Sequence, residues 1–145
     1  MPRVLIPIDG STSSLRAVQH VVELKDRLQH PLDVLLINVQ PPIPQSRLLL
    51  DGRPSEVHSL EAPLKAHGAE LLAAAGKALD AASIRNRSCV EIGDPAPLIA
   101  HFAETNHCEL IAMGTRGLSD IASLVLGSVA RKVLHLSNVP VLMVP

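Results

Sequence analysis

Three glycines and a serine towards the end of the chain have the spacing of a loop that could hold an anion. Gly114 and Gly117 follow the apolar run Cys108 to Met113, and Gly127 directly precedes Ser128. Glycine permits positive φ and lets a ligand approach the backbone closely. A helix is predicted to start near Ser128, and the free N–H groups at a helix start attract negative charge. We therefore predict a phosphate site formed by N–H groups around the three glycines and by the Ser128 hydroxyl.

Three further side chains could complete such a site, each with an ordinary alternative. Asp9 ends the first apolar run and could accept from a ribose hydroxyl, an adenine amino group or water on a phosphate-bound metal; the alternative is a turn or helix cap. Arg116 could pair with a terminal phosphate or be a solvated loop charge. Val39 could line the pocket of a base and contact the base through its backbone, or it could be a core residue. The residues alone leave these alternatives open.

Several catalytic and metal-binding motifs do not occur in the chain. There is no G-x-x-x-x-G-K-[ST] motif, no lysine in the glycine loop, and no G-x-G-x-x-G after the first apolar run. No H-E-x-x-H or paired C-x-x-C spacing suggests a metal held directly by the protein. Asp9 lacks the acidic neighbours of a response-regulator receiver, and Ser128 has no evident base beside it. We predict no catalytic residue, and at most slow hydrolysis of a bound phosphate ligand.

Composition narrows the class of protein. The chain has 145 residues, 47% of them hydrophobic, which favours one domain over residues 1–145. A net charge of −1 and a single aromatic residue argue against nucleic acid or a membrane surface as partner. No apolar run approaches the roughly 18 residues that span a bilayer, and no signal peptide is evident. We expect a cytoplasmic protein in which Cys89 and Cys108 are small core residues.

Alternating strands and helices are predicted along the whole chain. The expected strands are Arg3 to Ile8, Leu32 to Val39, Ile84 to Ile92, Cys108 to Met113 and Val139 to Val144. The polar third strand is expected at a sheet edge. Short helices between apolar strands predict a parallel sheet covered on both faces.

The helices are predicted from their caps and apolar spacing. Ser11 to Ser14 offer N-caps for a first helix with the apolar stripe Leu15, Val18, Val22 and Leu28. The second helix is expected to begin near Ala62, with Pro63 in its first turn. Gly93-Asp94-Pro95 predicts a turn, an N-cap and the start of the third helix, and the fourth helix is expected to bury Val129, Val133 and Leu136. The segment Gln40 to Pro54 is the longest predicted loop, and its Leu48-Leu49-Leu50 cluster could cover the site or touch a partner.

The motifs together resemble the universal stress protein family over nearly the whole chain. They are Pro7-Ile8-Asp9-Gly10-Ser11, Gly93-Asp94-Pro95-Ala96, Leu110 to Gly117, Gly127-Ser128-Val129-Ala130 and Val139 to Val144. The resemblance implies an α/β fold of the adenine nucleotide alpha-hydrolase-like type, an open five-stranded sheet of order 3-2-1-4-5 with helices on both faces. The first and fourth strands would then be neighbours, with Asp9 and the glycine loop at one crevice.

The resemblance also implies a ligand, a site and a mode of action. The ligand would be ATP or a related adenine nucleotide, with Mg²⁺ or Mn²⁺ held mainly by its phosphates. The implied binding residues are Pro7, Asp9, Val39, Met113, Gly114, Arg116, Gly117, Gly127, Ser128 and Val129. Members that do not bind ATP generally lack the complete glycine pattern, which this chain keeps. We expect a regulatory stress-response protein that acts through binding and homodimerises through Val139 to Val144; the alternative is a dimeric interaction protein whose glycine loop is only structural.

Overall fold

The computed structural model describes residues 1–43, 54–118 and 126–145, without the side chains of residues 54–59. Strands and helices alternate strictly along these ranges, as predicted. The elements are β1 (Arg3–Pro7), α1 (Thr12–Leu28), β2 (Asp33–Gln40), α2 (Pro54–Ala81), β3 (Arg85–Ile92), α3 (Pro95–Thr105), β4 (Leu110–Gly114), α4 (Ser128–Leu136) and β5 (Val141–Val144). The predicted role of Leu48-Leu49-Leu50 concerns residues outside the described ranges.

The five strands form one parallel sheet of order β3-β2-β1-β4-β5, so the predicted topology is confirmed. The polar strand β3 lies at one edge, as its sequence predicted, and β5 lies at the other. Strand β1 is central and almost wholly apolar, because helices cover both of its faces. The order brings the ends of β1 and β4 together, which is the switch point where such sheets bind ligands.

Helices on both faces create two apolar cores. One lies beneath α1 and α2 and includes Val4, Ile6, Val34 and Leu79. The other lies beneath α3 and α4 and includes Leu5, Leu35, Ile37, Ile99, Ile111, Met113 and Val133. Consecutive strand residues point to opposite faces, so the unbroken apolar runs of β1 and β2 fill both cores. Among the described residues, no helix is both long enough and apolar enough to cross a membrane.

The buried face of α1 differs from the predicted stripe. Ser11 is the N-cap, and its Oγ accepts from the Ser14 N–H at 3.1 Å, as expected. However, Leu15 and Leu28 are 42% and 50% exposed. The residues that face the sheet are Ser13, Ser14, Ala17, Val18 and Val21. This face begins with serines because the start of α1 packs too closely against β4 for large side chains, and a search for apolar spacing does not count serines.

Two other helix predictions were wrong. Helix α2 does not begin near Ala62; it begins at Pro54 and contains Pro63 in its interior. Pro63 is exposed, so water can reach the helix surface where the proline removes a backbone hydrogen bond. Leu136 is not buried but 49% exposed, because it is the last residue of a nine-residue helix that packs through Ala130 and Val133.

Candidate functional site

The carboxyl end of β1 separates from β4 and opens a crevice. Only Val4 and Leu5 of β1 pair with β4, opposite Leu110 and Ile111. Pro7 is the next β1 residue whose backbone faces β4, and proline has no N–H to continue the ladder. Pro7 therefore marks the point at which the two central strands part.

A cavity of about 210 Å³ occupies this crevice, between the carboxyl ends of β1, β2 and β4 and the starts of α3 and α4. All ten residues that the sequence predicted as binding residues line it. They are Pro7, Asp9, Val39, Met113, Gly114, Arg116, Gly117, Gly127, Ser128 and Val129. Their common location is a structural result, whereas their role in binding a nucleotide stays a prediction.

The cavity has an apolar floor that the sequence reasoning missed. Ile37, Ile99 and Pro95 line it alongside Met113. The turn Gly93-Asp94-Pro95 was the signal that could have predicted this floor. It marks the start of α3 after the outer strand β3, and a helix that starts there can lie over the carboxyl ends of the strands. Asp94 is the N-cap of α3 as predicted, although its side chain makes no capping hydrogen bond. Such a floor suits a flat, weakly polar group such as a base.

The start of α4 supplies hydrogen-bond donors to the cavity. Its N-cap is Gly127, which has no side chain to cap the first turn. The first bond of the helix runs from the Arg131 N–H to the Gly127 carbonyl at 3.0 Å. The N–H groups of Ser128, Val129 and Ala130 thus have no hydrogen-bond partner among the described residues. Three such donors at the positive end of a helix dipole attract an anion.

Two other N–H groups of the glycine loop are engaged within the protein. The Gly127 N–H donates to the Thr115 carbonyl at 2.5 Å, and the Arg116 N–H donates to Ser13 Oγ at 3.4 Å. Gly127 has a φ of −69°, and the described glycines at positive φ are Gly10 and Gly93. The Gly127 N–H is therefore engaged within the protein, and the α4 donors without a partner in the described residues lie one to three residues later. The phosphate site predicted around the three glycines stays a prediction.

Gly114 has a structural reason to lack a side chain. A Cβ built on it would meet Ser13 Oγ and would lie 2.8 Å from Ser13 Cβ and 2.7 Å from the Ser13 carbonyl carbon. Real Cβ atoms do not approach other atoms so closely. Gly114 thus lets α1 pack against the end of β4, and its size is required by the fold whatever the cavity binds.

The two alternatives for Asp9 are compatible. Its Oδ1 accepts from the Ser11 N–H at 2.8 Å, which forms the turn before α1. Its Oδ2 receives no hydrogen bond from any residue in the described ranges, and Asp9 lines the cavity. Arg116 is exposed at the cavity rim, and its guanidinium has no partner in the described part of the chain. Within that part, no group of three or more His, Cys, Asp or Glu could hold a metal ion.

Comparison with known proteins gives consistent matches over the whole chain. The model of the universal stress protein family matches residues 1–145. A universal stress protein of Methanocaldococcus jannaschii is 32% identical over 142 residues, which cover 98% of this chain and 81% of that protein. The solved structure of a second protein of that organism superposes with a TM-score of 0.84 at 24% identity, covering 99% and 94% of the two chains. A universal stress protein solved in complex with cAMP superposes with a TM-score of 0.69 at 27% identity, covering 99% and 97%.

Proposed function

The chain belongs to the universal stress protein family, and from this we propose that it binds an adenine nucleotide in the cavity at the end of β1. One observation carries the proposal: a single cavity joins an apolar floor, the Asp9 carboxylate and the N–H groups at the start of α4 that have no partner among the described residues. These are the chemical partners of a base, a ribose and a phosphate, respectively. The related structure in complex with cAMP supports an adenine nucleotide over other anions.

The parts of the nucleotide can be matched to groups on the protein. The base lies on Ile37, Ile99 and Met113, beside Val39. The ribose hydroxyls donate to Oδ2 of Asp9. The phosphates accept from the first turn of α4 and from the Ser128 hydroxyl. For ATP, Mg²⁺ or Mn²⁺ enters bound to the phosphates, and Arg116 pairs with the terminal phosphate.

We propose regulation through binding over fast catalysis. Within the described part of the chain, the residues that line the cavity include no histidine, lysine or cysteine, and Asp9 already uses one carboxylate oxygen in a turn. A general base and a cation on the transferring phosphate are what rapid phosphoryl transfer requires. ATP hydrolysis, if measured, is therefore slow, and the bound state acts by changing a protein partner or the oligomeric state.

The absorbance spectrum of the purified protein gives a direct first test. The chain has no Trp or Tyr, so a bound adenine dominates the absorbance near 260 nm. Denaturation and filtration release it for identification by mass. A protein without such an absorber is then titrated with AMP, cAMP and ATP with Mg²⁺ by calorimetry. Absence of binding to all three at millimolar concentration overturns the proposal.

A pair of charge variants tests the position of the phosphates. Arg116→Ala removes a cation at the cavity rim, and Lys132→Ala removes one from the exposed side of α4. We expect Arg116→Ala to weaken ATP binding about fivefold, as for an exposed ion pair, with AMP changed less. Equal effects of the two variants on ATP contradict the assignment of Arg116, since both lower the net charge by the same amount.

A second candidate function is a dimeric interaction protein. Strand β5 lies at the sheet edge, where backbone groups of Val141 and Met143 face away from β4. An apolar edge strand invites pairing with a second copy. The close packing of Gly114 on Ser13 also agrees with a partly structural glycine loop. Failure of the nucleotide titrations together with a stable dimer in solution favours this candidate.

A further inference from the structure

We propose that Asn38 is a positioning residue of this cavity: its side-chain amide removes the Ile8 carbonyl from the β-ladder and leaves the backbone of Val39 open to the edge of a base. The inference deepens the proposed function and rests on it, because it explains how the base-binding side of the cavity is made.

The side chain of Asn38 is buried and bonded through both halves of its amide. The residue is 2% exposed. Its Nδ2 donates to the Ile8 carbonyl at 2.8 Å, and its Oδ1 accepts from Gln40 Nε2 at 2.7 Å. Buried amides are normally fully bonded, and these two bonds determine which end of the amide faces Ile8. The side chain therefore has one orientation available in this environment.

The bond to Ile8 replaces a regular ladder bond. In a regular parallel ladder, one residue bonds two residues of the neighbouring strand. Its N–H donates to the carbonyl of the first, and its carbonyl accepts from the N–H of the residue two positions further along that neighbouring strand. The Ile8 N–H donates to the Ile37 carbonyl at 2.8 Å. The regular donor to the Ile8 carbonyl would thus be the Val39 N–H. The Asn38 amide takes that place, so the β1–β2 ladder stops.

The consequence is an open backbone at Val39. Pairing of β1 with β2 ends at Pro7 and Ile37, whereas pairing of β2 with β3 continues to Gln40 and Ile92. The Gln40 carbonyl accepts from Gly93 on the β3 side, so the N–H and carbonyl of Val39 face the β1 side. Neither has a hydrogen-bond partner among the residues that the structure describes.

An adenine edge is the chemical complement of this opening. Val39 lines the cavity and presents a donor and an acceptor on one residue. Adenine presents an amino donor beside a ring-nitrogen acceptor. Guanine has a carbonyl oxygen in place of that amino group. This oxygen would face the Val39 carbonyl, and two acceptors cannot form a hydrogen bond. We therefore expect Asn38 to control discrimination between bases and not the affinity for phosphate.

Helix α2, which packs on the sheet over β2 and β3, also restricts the orientation of the Asn38 side chain. Gly68 lies directly above the amide: a Cβ there would be 2.5 Å from Asn38 Oδ1 and 2.8 Å from Val90 Cγ1. The helix can pack this closely only because residue 68 lacks a side chain. The opening at Val39 is thus held by contacts from β2 and α2, outside the cavity itself.

Amide hydrogen exchange tests the geometric part without any ligand. In the wild-type protein we expect the Val39 amide to exchange at least tenfold faster than that of Ile37. In Asn38→Leu the Ile8 carbonyl loses its donor, and the Val39 N–H returns to it and becomes protected at least tenfold. The amide of Leu36, in the middle of β2, serves as an internal reference. The same exchange rate of Val39 in both proteins overturns the inference.

Ligand affinities test the link to the base. We expect Asn38→Leu to weaken AMP at least tenfold, to weaken GMP less, and to leave ribose 5-phosphate unchanged. An equal loss for all three ligands means a merely structural role and overturns the positioning role. If wild-type protein binds none of them, the proposed function fails and the role towards a base falls with it, while the Val39 exchange still decides whether Asn38 opens the strands.

Two further variants keep the test decisive. Gln40→Leu removes the donor to Asn38 Oδ1 but keeps the Asn38 bond to Ile8, so it should shift both measurements in the same direction by a smaller amount. It replaces Asn38→Leu if that variant does not fold, and no shift in either measurement then overturns the inference. Asn86→Leu is the matched control, since Asn86 lies on β3 and bonds Asp80 and the Ile84 carbonyl outside the cavity. It should leave Val39 exchange and all affinities unchanged.

Discussion

Gly114 at the end of β4 lies against Ser13 in the first turn of α1, so close that a Cβ on Gly114 would be 2.8 Å from the Ser13 Cβ. Ser13 Oγ also donates to the Val144 carbonyl at 3.2 Å and accepts from the Arg116 N–H at 3.4 Å. One small side chain thus links the start of α1, the rim of the cavity and the edge strand β5.

Adding a methyl group at this contact should destabilise the protein. Gly114→Ala forces α1 away from β4, and overpacking of this kind costs about 1–3 kcal/mol in free energy of unfolding. Gly76→Ala is the matched control: among the described residues its Cβ would meet only Asn86 Oδ1, at 3.4 Å, and alanine is about 1 kcal/mol more stable than glycine inside a helix. Urea unfolding of both variants gives the comparison. Similar stability changes contradict the packing role of Gly114.

The same contact shows what could be predicted from the sequence and what could not. The apolar runs of β1 and β2 and the alternation with helices were enough for a parallel sheet, and the motif spacing was enough for the family and its strand order. The reason for Gly114 was not accessible, because Ser13 is distant in the chain and does not belong to an apolar stripe. The sequence assigned Gly114 either to a phosphate site or to a structural loop, and neither interpretation identified its contact with Ser13.

The candidate site was predicted unevenly for a related reason. Residues in motifs, such as Asp9 and Ser128, lie on the cavity as the strand order implied. Ile99 was missed because its place depends on how α3 lies over the strand ends. Which N–H groups are free also depends on tertiary bonds, such as that from Gly127 to Thr115.

Asp33 is a buried carboxylate at the amino end of β2, away from the cavity, and it should make the stability of the protein depend on pH. Burial raises the pKa of Asp33, but the hydrogen bond from Arg3 and the charges of Arg3, Arg87 and Arg85 outweigh it, so the pKa lies below its ordinary value. A lowered folded-state pKa adds stability that is fully present above the unfolded pKa, about 3.9. That stability is lost as the pH falls through the lower folded-state pKa. We expect the free energy of unfolding to decrease steeply below about pH 4.

Asp33→Asn isolates this contribution. It keeps the shape but loses the charge, and we expect a loss of about 2 kcal/mol at pH 7, typical of a hydrogen bond to a charged group. The loss should shrink as the pH falls below about 4. Asp26→Asn is the control, because Asp26 forms an exposed pair with Lys25 at 3.4 Å. A constant difference between wild type and Asp33→Asn from pH 7 to 3 would falsify the role of the Asp33 charge.

The thiol of Cys89 should react slowly. Burial, the hydrogen bond to Glu91 at 3.3 Å and the charge of that carboxylate raise the pKa of Cys89 to about 11. At pH 8 roughly one thiol in a thousand is then ionised, and the thiolate is the reactive form. In a Cys108→Ala background we expect a disulfide reagent to label Cys89 slowly. Adding Glu91→Gln should make this labelling about tenfold faster, because the pKa of Cys89 falls. Cys108 is buried with a raised pKa as well, so Cys89→Ser should label slowly throughout. No acceleration by Glu91→Gln would refute the influence of the carboxylate.

The outer edge of β5 allows pairing with a second copy to be tested without breaking the sheet. The Pro140 and Val144 carbonyls accept from β4, so the backbone of Leu142 also faces β4. The N–H of Met143 faces the open edge. Proline at 143 removes one outward donor and is tolerated on an edge, whereas proline at 142 removes a bond of the β4–β5 ladder.

We expect Met143→Pro to give a folded monomer and Leu142→Pro to give an unfolded or aggregated protein, measured by light scattering and circular dichroism. Met143→Ala controls for the lost side chain and should keep the oligomeric state of the wild-type protein. A dimer of Met143→Pro with unchanged stability would exclude β5 as the pairing edge, because two strands that join there must share that donor.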